Sequence, residues 1–592
     1  MSGNTPTVVA SSAPLYISNI VIRLDDTSKK KVDFAELNID SQRQKIRYIS
    51  DQDRDLSKKF DPAIPVTTEQ VSLSVHCYHT TGLFPRKIVV SFPLTRKDIL
   101  ANIMDHDGQR VYKVIRRKLT VVITIRQLQS TSSSILEICP RFRLLVIGKT
   151  GVGKSSLIQQ AFKIKEVKVD ENKRGEADIN EEFTAPENER FVVHDSQGFE
   201  AGDSMIFKTA KDFIARRRTE PELQDKIHAV WLCLSIPHAN GRLLENGVEE
   251  FLKSRQEILG DIPIIAVFTK HDVFVSELEL EAADSDQYDE AALDQLKVDE
   301  LDRLCIRPLK EVAGSDILHI TVSAKQEYES TIRKLVDLTT TNVEKFVASE
   351  AALVMMIAQR VDINLKVEAS IAVGKKRYWR GLASSMNFAG FTMLDCLSVI
   401  HKDIIDVWNF HDPHCHLSSD QFKELILKDI DNADLPRAAQ AFGFGLTVVA
   451  AIASILTALA GPALPIVVPI AAGAVLAKFA YDTYQQKTIV LRRIMTYIVD
   501  LTCIMQILFL LALTGPISRH VVKIAIRAYE EAGKSNVHLA IQSHHVSVNR
   551  NGGDHALDEI VRLINRYTIK AEEVQDLRTR IGPVDLRADE EW

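Results

Sequence analysis

Four apolar runs in the middle of the chain each end in small and polar residues. The runs span residues 144–147, 191–193, 264–268 and 317–322. Short runs that are apolar at successive positions are typical of strands buried on both faces, as in a parallel sheet. Because parallel strands end at one edge of their sheet, the polar residues that follow them meet there. The pattern predicts an α/β domain over residues 141–347 with a site at that edge.

Upstream of this domain the pattern changes to runs in which apolar and polar positions partly alternate. These runs are residues 15–22, 70–78, 87–92 and 119–125, with turn residues between them. A period of two indicates strands with one buried face. We therefore predict an all-β sandwich, C2-like, over residues 14–130, with a flexible N-terminus at residues 1–13 and a polar linker at residues 130–134.

Aspartates in the predicted loops of the sandwich allow two interpretations. They are Asp25, Asp26, Asp51, Asp53, Asp55, Asp105 and Asp107. Carboxylates that converge from separate loops can bind Ca²⁺, whereas single aspartates are ordinary turn residues. We favour turns, and a sandwich that docks on a partner or a membrane without calcium.

The carboxy-terminal half contains a stretch without charge from residue 438 to residue 477. Such a stretch must be buried, either in protein or in lipid. The glycine and prolines at residues 461–465 divide it into a helical hairpin, whose first arm of about 23 residues is long enough to cross a bilayer. A membrane-inserted hairpin and a buried helix pair in a soluble bundle both fit the pattern, and we place the membrane first.

The rest of this half is also predicted to be helical. Residues 348–550 form the predicted helical domain, in which residues 504–513 are too short to span a bilayer and form a core or interfacial helix. Residues 551–592 are predicted to form a C-terminal amphipathic helix that packs on this domain. The apolar positions of that helix are Ile560, Ile564, Tyr567, Val574, Leu577 and Ile581.

The segment after the first apolar run carries the most specific motif of the chain. It reads G-K-T-G-V-G-K-S from Gly148 to Ser155 and fits the phosphate-loop pattern G-x-x-x-x-G-K-[ST] at every fixed position. The glycines let backbone N–H groups curl around phosphates, Lys154 would reach the β- and γ-phosphates, and Ser155 would bind Mg²⁺. The predicted nucleotide-binding residues are Gly148, Gly151, Gly153, Lys154, Ser155 and Ser156, and Lys154 is also predicted to be catalytic.

The second run ends in a D-x-x-G sequence, Asp195-Ser196-Gln197-Gly198. Asp195 would hold Mg²⁺ through water, and the N–H of Gly198 would contact the γ-phosphate, which makes Gly198 the second predicted catalytic residue. Thr184 is the one threonine between the phosphate-loop helix and this strand, and it is the third candidate for the metal. The alternative for Thr184 is an exposed loop residue.

The last two runs lead to residues that would read a base. They are Thr269, Lys270 and Asp272 of a T-K-x-D sequence, and Ser323, Ala324 and Lys325 of an S-A-K sequence. Asp272 can accept two hydrogen bonds from the N1–H and amine of guanine, whereas adenine offers no such donor pair. The stem of Lys270 would lie along the base, and the S-A-K backbone would contact guanine O6. The predicted ligands are therefore GTP and GDP with Mg²⁺.

With these four motifs in order, the segment resembles the P-loop GTPases of the translation-factor-related class, and among them the septin-like, Toc-like and dynamin-like members. Residues 195–202 and 228–233 resemble the G domain-containing proteins of mushroom-forming fungi. The resemblance implies GTP hydrolysis, with a nucleotide state that controls the contacts of the helical domain with a membrane or a partner. The alternative is a GTP-binding scaffold without hydrolysis and with a soluble helical bundle.

Phe199 limits the catalysis that we expect. In Ras-like relatives a glutamine follows D-x-x-G and orients the attacking water, so intrinsic turnover is expected to be slow. We expect a group from a second protomer or a partner to complete the site, with a homo-oligomer forming through the GTPase domain. The arginines at residues 216–218 are better explained as the cationic end of a helix than as an arginine finger.

Composition restricts the other functions. A chain of 592 residues predicts three or four domains, and a net charge of −6 with a pI near 6.3 argues against a general nucleic-acid binder. Seven scattered cysteines indicate reduced thiols, and hence a cytoplasmic protein. If the protein is anchored, we expect it on the cytosolic face of an intracellular membrane. Zinc at His411, His414, Cys415 and His416 is the less favoured alternative to a polar loop.

Overall fold

The structure is a computed structural model. It describes residues 15–25, 30–39, 42–48, 55–66, 70–79, 86–95, 98–99, 102–106, 109–127, 130–164, 179–195, 204–238, 241–285, 290–376, 393–428, 430, 443–459, 466, 468, 487–512, 515–543, 553–585 and 590–592. The chain divides into two compact units. The first comprises residues 1–130, 381–400 and 476–490, and the second comprises the remaining residues.

The strands of the first unit form two antiparallel sheets, in the orders β4-β1-β9-β8-β7 and β3-β2-β5-β6. The strands are β1 (Leu15–Leu24), β2 (Lys30–Ile39), β3 (Gln42–Ile46), β4 (Leu56–Val66), β5 (Gln70–His79), β6 (Arg86–Thr95), β7 (Ile103–His106), β8 (Gln109–Arg116) and β9 (Leu119–Gln127). Alternate residues of both sheets, such as Ile20, Leu73 and Ile123, share one hydrophobic core. The sheets support the predicted all-β region, and its C2-like character stays a prediction.

The aspartates of this unit make ordinary contacts where they are described. The Asp55 carboxylate accepts a hydrogen bond of 2.7 Å from Arg23, and the Asp25 N–H donates to the carbonyl of Lys118. Asp26, Asp51, Asp53 and Asp107 lie outside the described residues, as does the side chain of Asp105. Across the described ranges no group of three or more His, Cys, Asp or Glu residues could hold a metal ion.

The second unit is built on a six-stranded sheet in the order β11-β12-β10-β13-β14-β15. Its strands are β10 (Phe142–Ile147), β11 (Phe183–Ala185), β12 (Asn188–Asp195), β13 (Ala229–Ser235), β14 (Ile264–Thr269) and β15 (Leu318–Thr321). All neighbours are parallel except β11, which pairs with β12 in an antiparallel register. Each face of the sheet has its own hydrophobic core, which is why the strands are apolar at successive positions.

The α-helices within the described residues include α1 (Thr131–Ile138), α2 (Lys154–Phe162), α3 (Ser204–Thr219), α4 (Asn246–Lys253), α5 (Arg255–Leu259), α6 (His271–Ser285), α7 (Glu290–Leu301), α8 (Arg307–Ala313), α9 (Glu329–Phe346), α10 (Ser349–Ala358), α11 (Ile363–Lys376), α12 (Met393–Trp408), α13 (Asp420–Leu427), α14 (Phe444–Leu459), α15 (Lys487–Leu511), α16 (Arg519–Tyr529), α17 (Ser535–Ser543), α18 (Gly553–Arg566) and α19 (Val574–Ile581). They confirm a helical carboxy-terminal region next to the α/β core.

The polar linker predicted at residues 130–134 is wrong, because Thr131 begins helix α1. Ser132 is fully buried, and its backbone N–H and its hydroxyl lie 2.8 and 2.7 Å from Oδ1 of Asp403. Burial raises the pKa of Asp403 to about 7, although the contacts with Ser132 and Thr131 lower it. A run of serines therefore serves here as a buried helix start, since the Asp403 carboxyl satisfies its polar groups.

Helix α14 is the described part of the uncharged stretch. It starts at Phe444 and has 16 residues, which corresponds to about 24 Å of length. One side of α14, which includes Val448 and Ile452, is buried, and Leu446 on another side is exposed. The turn at residues 461–465 and most of the second arm lie outside the described residues, so insertion of this hairpin in a membrane stays a prediction.

Helix α15 lengthens the element expected at residues 504–513, since residues 504–511 belong to a helix of 25 residues that ends at Leu511. Its segment Ile489–Leu511 is long and apolar enough to cross a membrane, and its apolar window is buried by protein, as in a core helix, although Ile489 at its start is exposed. The sequence suggested a shorter element because Asp500 interrupts the apolar run. The helix continues through Asp500 because Tyr529 and His538 donate hydrogen bonds of 2.6 and 2.7 Å to its carboxylate.

The C-terminal amphipathic segment packs on the protein as predicted, but it forms two helices, α18 and α19, instead of one. The chain leaves the helix after Arg566. The buried side chain of Gln506 donates to the carbonyl of Tyr567 and accepts from the N–H of Ile569, at 3.2 and 2.8 Å. A remote amide thus satisfies the backbone of the break, which the local sequence could not reveal.

Candidate functional site

The loop between β10 and α2 lies at the carboxyl edge of the parallel sheet. Gly148 directly follows β10 and lies close to β13. A Cβ atom on this glycine would lie 2.5 Å from the carbonyl oxygen of Cys233. Gly151 and Gly153 have φ angles of +76° and +98°, which favour glycine. The three glycines of the predicted phosphate loop are therefore required by close approach at the first position and by backbone conformation at the other two.

Lys154 is the first residue of α2, and its side chain is buried under this loop. The ammonium nitrogen donates hydrogen bonds of 2.8 and 3.2 Å to the carbonyl oxygens of Gly148 and Lys149. The loop carbonyls thereby hold the cation at the center of the turn, where the N-terminus of α2 also presents the positive end of its dipole. This arrangement suits an anionic ligand such as a phosphate chain.

Thr269 ties the base-reading segment to the phosphate loop. It ends β14, is buried, and its hydroxyl lies 2.6 Å from the carbonyl oxygen of Val152 and 3.3 Å from that of Leu234. One short side chain therefore fixes the distance between the loop and the end of β14. Lys270, the next residue, is exposed and has a φ angle of +60°.

We expect Thr269→Val to lower both the free energy of unfolding and the affinity for nucleotide. Thr269→Ser should have nearly the wild-type stability and affinity. The valine has nearly the same shape but leaves the carbonyl of Val152 without its donor, at a cost of about 1–3 kcal/mol for a buried group. Urea unfolding and titration with GDP measure the two effects. Equal unfolding midpoints and equal affinities for the valine variant and wild type would contradict this role.

Asp272 is held in place by the S-A-K segment. Its Oδ1 accepts a hydrogen bond of 2.7 Å from the hydroxyl of Ser323, and its Oδ2 lies 3.1 Å from the ammonium of Lys325. Burial alone raises the pKa of Asp272, but the contacts with Ser323 and Lys325 outweigh it and leave the pKa below its ordinary value. The carboxylate is therefore ionised at neutral pH and can act as an acceptor only.

A pocket of about 470 Å³ joins these groups, within the range of small-ligand sites. It is lined by Gly151, Val152, Gly153, Ser156, Leu157, Gln159, Gln160, Thr269, Lys270, Asp272, Val322, Ser323, Ala324 and Lys325. Three of the four predicted motifs thus meet at one opening, although the phosphate loop precedes the other two by more than a hundred residues of chain. Gln159 and Gln160 also line the pocket, although no motif in the sequence includes them.

Ser155 and Asp195 have the donor chemistry that Mg²⁺ requires. Ser155 is the second residue of α2, and Asp195 ends β12, where its backbone pairs in register with Val146, two residues before Gly148. A hydroxyl and a carboxylate at the same sheet edge are oxygen ligands of the kind that Mg²⁺ prefers. The side chain of Asp195, Gly198 and Phe199 lie outside the described residues.

Thr184 does not line the pocket. It is an exposed residue of the edge strand β11, between Phe183, which pairs with Val193, and Ala185, which pairs with Asn188. Its register thus places it opposite the middle of β12 and not at the end of that strand. Its assignment to the metal stays a prediction, as do the other site assignments.

Comparisons with known proteins agree with the geometry of this unit. Residues 143–270 match the family described as 50S ribosome-binding GTPase. This segment is a P-loop GTPase domain. Residues 416–574 match a domain of unknown function (DUF8505), and no curated protein matches the chain.

A solved structure also aligns with part of this chain. The G domain of FeoB from Methanococcus jannaschii is 17% identical, and the alignment covers 34% of this chain and 98% of that one with a TM-score of 0.20. The family match supports guanine-nucleotide binding by the GTPase domain. The narrower resemblances to septin-like, Toc-like, dynamin-like and fungal proteins stay predictions.

The GTPase domain contains one site contact that the sequence did not suggest. Lys149, inside the phosphate loop, forms a close ion pair with Glu245, which precedes α4. Glu245 has no motif around it, so only the folded structure brings it to the loop. The contact ties the segment after β13 to the phosphate loop, in addition to the contact that Thr269 makes with that loop.

The arginines at residues 216–218 support the base of the GTPase domain. They occupy the last turn of α3 and contact Asn180, Glu182 and Asp225, and the carbonyls of Glu257 and Ile258. These contacts fit the predicted cationic helix end.

The histidine-rich loop at residues 411–416 is likewise held by polar contacts, since Asp412 accepts hydrogen bonds from the N–H groups of His416 and Leu417.

Proposed function

We propose that this protein binds guanine nucleotides and hydrolyses GTP with Mg²⁺, and that its nucleotide state changes the contacts of the helical region with a membrane or a protein partner. The observation that carries the proposal is the pocket in which ionised Asp272 faces the same opening as the phosphate loop. Such a carboxylate favours guanine over adenine, because adenine would leave it desolvated and unpaired.

Different residues of the site would bind the two ends of a nucleotide. Lys154 and the N–H groups of the glycine loop would bind the β- and γ-phosphates, while Asp272 and the S-A-K segment would orient the base. Ser155 and Asp195 would hold Mg²⁺, which neutralises phosphate charge when it is bound. Gly198 would donate its N–H to the γ-phosphate and so report its presence.

Hydrolysis is expected to depend on protein concentration, because Phe199 stands where a water-orienting glutamine is found in Ras-like enzymes. A cation supplied by a second protomer or a partner raises the rate of other GTPases by about 10³–10⁵. We expect phosphate release per protein molecule to rise as the chain is concentrated at saturating GTP. Specific activity that stays constant across the series would contradict a site completed by self-association.

A GTP-binding scaffold without turnover is the second candidate, and the same Phe199 favours it. Tight GDP and GTP binding without phosphate release at any protein concentration would support the scaffold over the enzyme. We also propose a cytoplasmic location, since none of the seven cysteines is in a disulfide and six are buried. Carbonate extraction of a membrane fraction tests the membrane partner, and release of the protein into the supernatant would contradict insertion.

A further inference from the structure

We propose that the C-terminal helix α19 controls nucleotide affinity, with Arg578 as a positioning residue of the pocket. This inference rests on the proposed nucleotide binding and goes beyond it, because it names the contact through which the helical region acts on the site. It is carried by a buried cluster of three charged side chains, Lys163, Glu329 and Arg578, hereafter the ionic triad.

The ionic triad joins three distant parts of the chain. Nζ of Lys163 lies 2.7 Å from Oε1 of Glu329, and Nη1 of Arg578 lies 3.6 Å from Oε2 of the same carboxylate. The side chains are only 11%, 7% and 7% exposed, respectively. At this depth an unpaired carboxylate would be strongly destabilising, so the position of each partner affects the others.

Glu329 is placed to transmit that effect to both ends of the pocket. Lys163 directly follows α2, the helix that begins with Lys154. Glu329 starts α9, four residues after the S-A-K segment ends at Lys325, and in the same first turn the hydroxyl of Thr331 accepts a hydrogen bond of 3.3 Å from the N–H of Ser323. The carboxylate thus connects the phosphate-binding helix with the residue that orients Asp272.

The contacts of Arg578 indicate an electrostatic role. Nη2 donates a hydrogen bond of 2.9 Å to the carbonyl of Phe509, and the guanidinium lies 5.1 Å from the center of that ring. Nε and Nη1 are buried and, in the described part of the chain, have no hydrogen-bond acceptor. Burial lowers the pKa of Arg578 to about 10, so the side chain is charged at neutral pH. Hydrogen bonds alone therefore do not explain why this arginine is buried. The charge that it places opposite Glu329 does.

Helix α19 also contacts the apolar helix α14. Leu577, next to Arg578, is buried, and a Cβ atom on Gly445 of α14 would lie 2.8 Å from its Cδ1. The two helices are thus in close contact at Gly445. A shift of α14, whether caused by a membrane or a partner, would move α19 and with it the charge that faces Glu329.

Thermodynamic linkage makes this proposal testable from either end. If docking of α19 raises the affinity for a nucleotide, nucleotide binding must stabilise the docking of α19 by the same factor, which is typically about 5–150 in coupled sites. Local opening of a helix is seen in the hydrogen exchange of its amides. We therefore expect slower exchange of residues 574–581 in the full-length chain when GDP is bound.

The matching variants are Arg578→Met, Arg578→Lys and Arg580→Met. Met removes the charge at similar length, Lys keeps it, and Arg580 is an exposed residue of the same helix that forms an ion pair with Asp576 at the surface. We expect Arg578→Met to weaken GDP binding about tenfold, mainly through faster release, within the usual range of coupled sites. Arg578→Lys should restore most of the affinity, and Arg580→Met should bind as wild type does.

The ionic triad also predicts how two changes combine. If Arg578 acts through Glu329, the double variant Arg578→Met with Glu329→Gln should lose no more affinity than the worse of the two single variants. Additive losses, or an Arg578→Met variant with wild-type affinity, would overturn the proposal. If Arg578→Met does not fold, exchange in the wild-type chain decides, and exchange of residues 574–581 that is unchanged by bound GDP would overturn it. Wild-type protein that binds no GDP would instead remove the proposed function itself.

Discussion

Replacing Lys154 with alanine is expected to reduce GDP and GTP affinity by about 10²–10³-fold and to abolish phosphate release, because truncating one partner of a buried charge pair costs about 2–5 kcal/mol. The lysine is buried and fixed by the carbonyls of Gly148 and Lys149, at 2.8 and 3.2 Å. No solvent-exposed lysine can replace a cation that is placed inside the loop.

The measurement for this variant is titration with a fluorescent GDP analogue, followed by a phosphate-release assay at saturating GTP. Lys211→Ala is the matched control, because Lys211 is a lysine of the same domain that forms an ion pair with Glu257, at 3.2 Å, on the surface. The control should bind as wild type does. Retention of wild-type affinity by Lys154→Ala would show that the glycine loop does not bind phosphate.

Asp272→Asn is expected to change which base the pocket accepts. The carboxylate accepts from two donors of guanine, whereas an asparagine amide offers one acceptor and one donor group. Guanine would then face a misplaced donor, so GDP affinity should fall about 10²-fold or more, from the loss of a charge-assisted pair of hydrogen bonds. Xanthine carries an oxygen where guanine carries its amine, so the variant should prefer xanthosine diphosphate.

Competition between GDP, xanthosine diphosphate and ADP for the same labelled nucleotide measures this change in specificity. Asp316→Asn serves as the control, since Asp316 is an exposed carboxylate of the GTPase region that pairs with Arg255 at 2.7 Å. Its preference should remain with GDP. An Asp272→Asn variant that keeps the wild-type order of affinities would mean that Asp272 does not contact the base.

The sequence predicts the parts of the site that depend on local patterns. Lys154 and Asp272 could be identified because each follows an apolar strand, and parallel strands bring their carboxyl ends to one edge. The hydroxyl of Thr269 on the carbonyl of Val152 could not, since the contact depends on how closely β14 approaches the phosphate loop. The ion pair of Lys149 with Glu245 is hidden for the same reason.

Remote partners also explain the differences in the flanking regions. Asp500 does not end α15, because Tyr529 and His538 satisfy its carboxylate, and Gln506 allows the chain to break between α18 and α19. Strand β2 escaped the period-two analysis because its register with β5 shifts between Val32 and Phe34 and interrupts the alternation. In each case the deciding group is far away in sequence or sits at an irregularity.

The most direct test of the account is a calorimetric titration of the full-length protein, in the presence of Mg²⁺, with GDP and then with ADP. The pocket formed by the phosphate loop, Asp272 and the S-A-K segment predicts saturable binding of one GDP per chain and much weaker binding of ADP. No heat of binding with either GDP or GTP, from protein shown to be folded, would contradict the central claim.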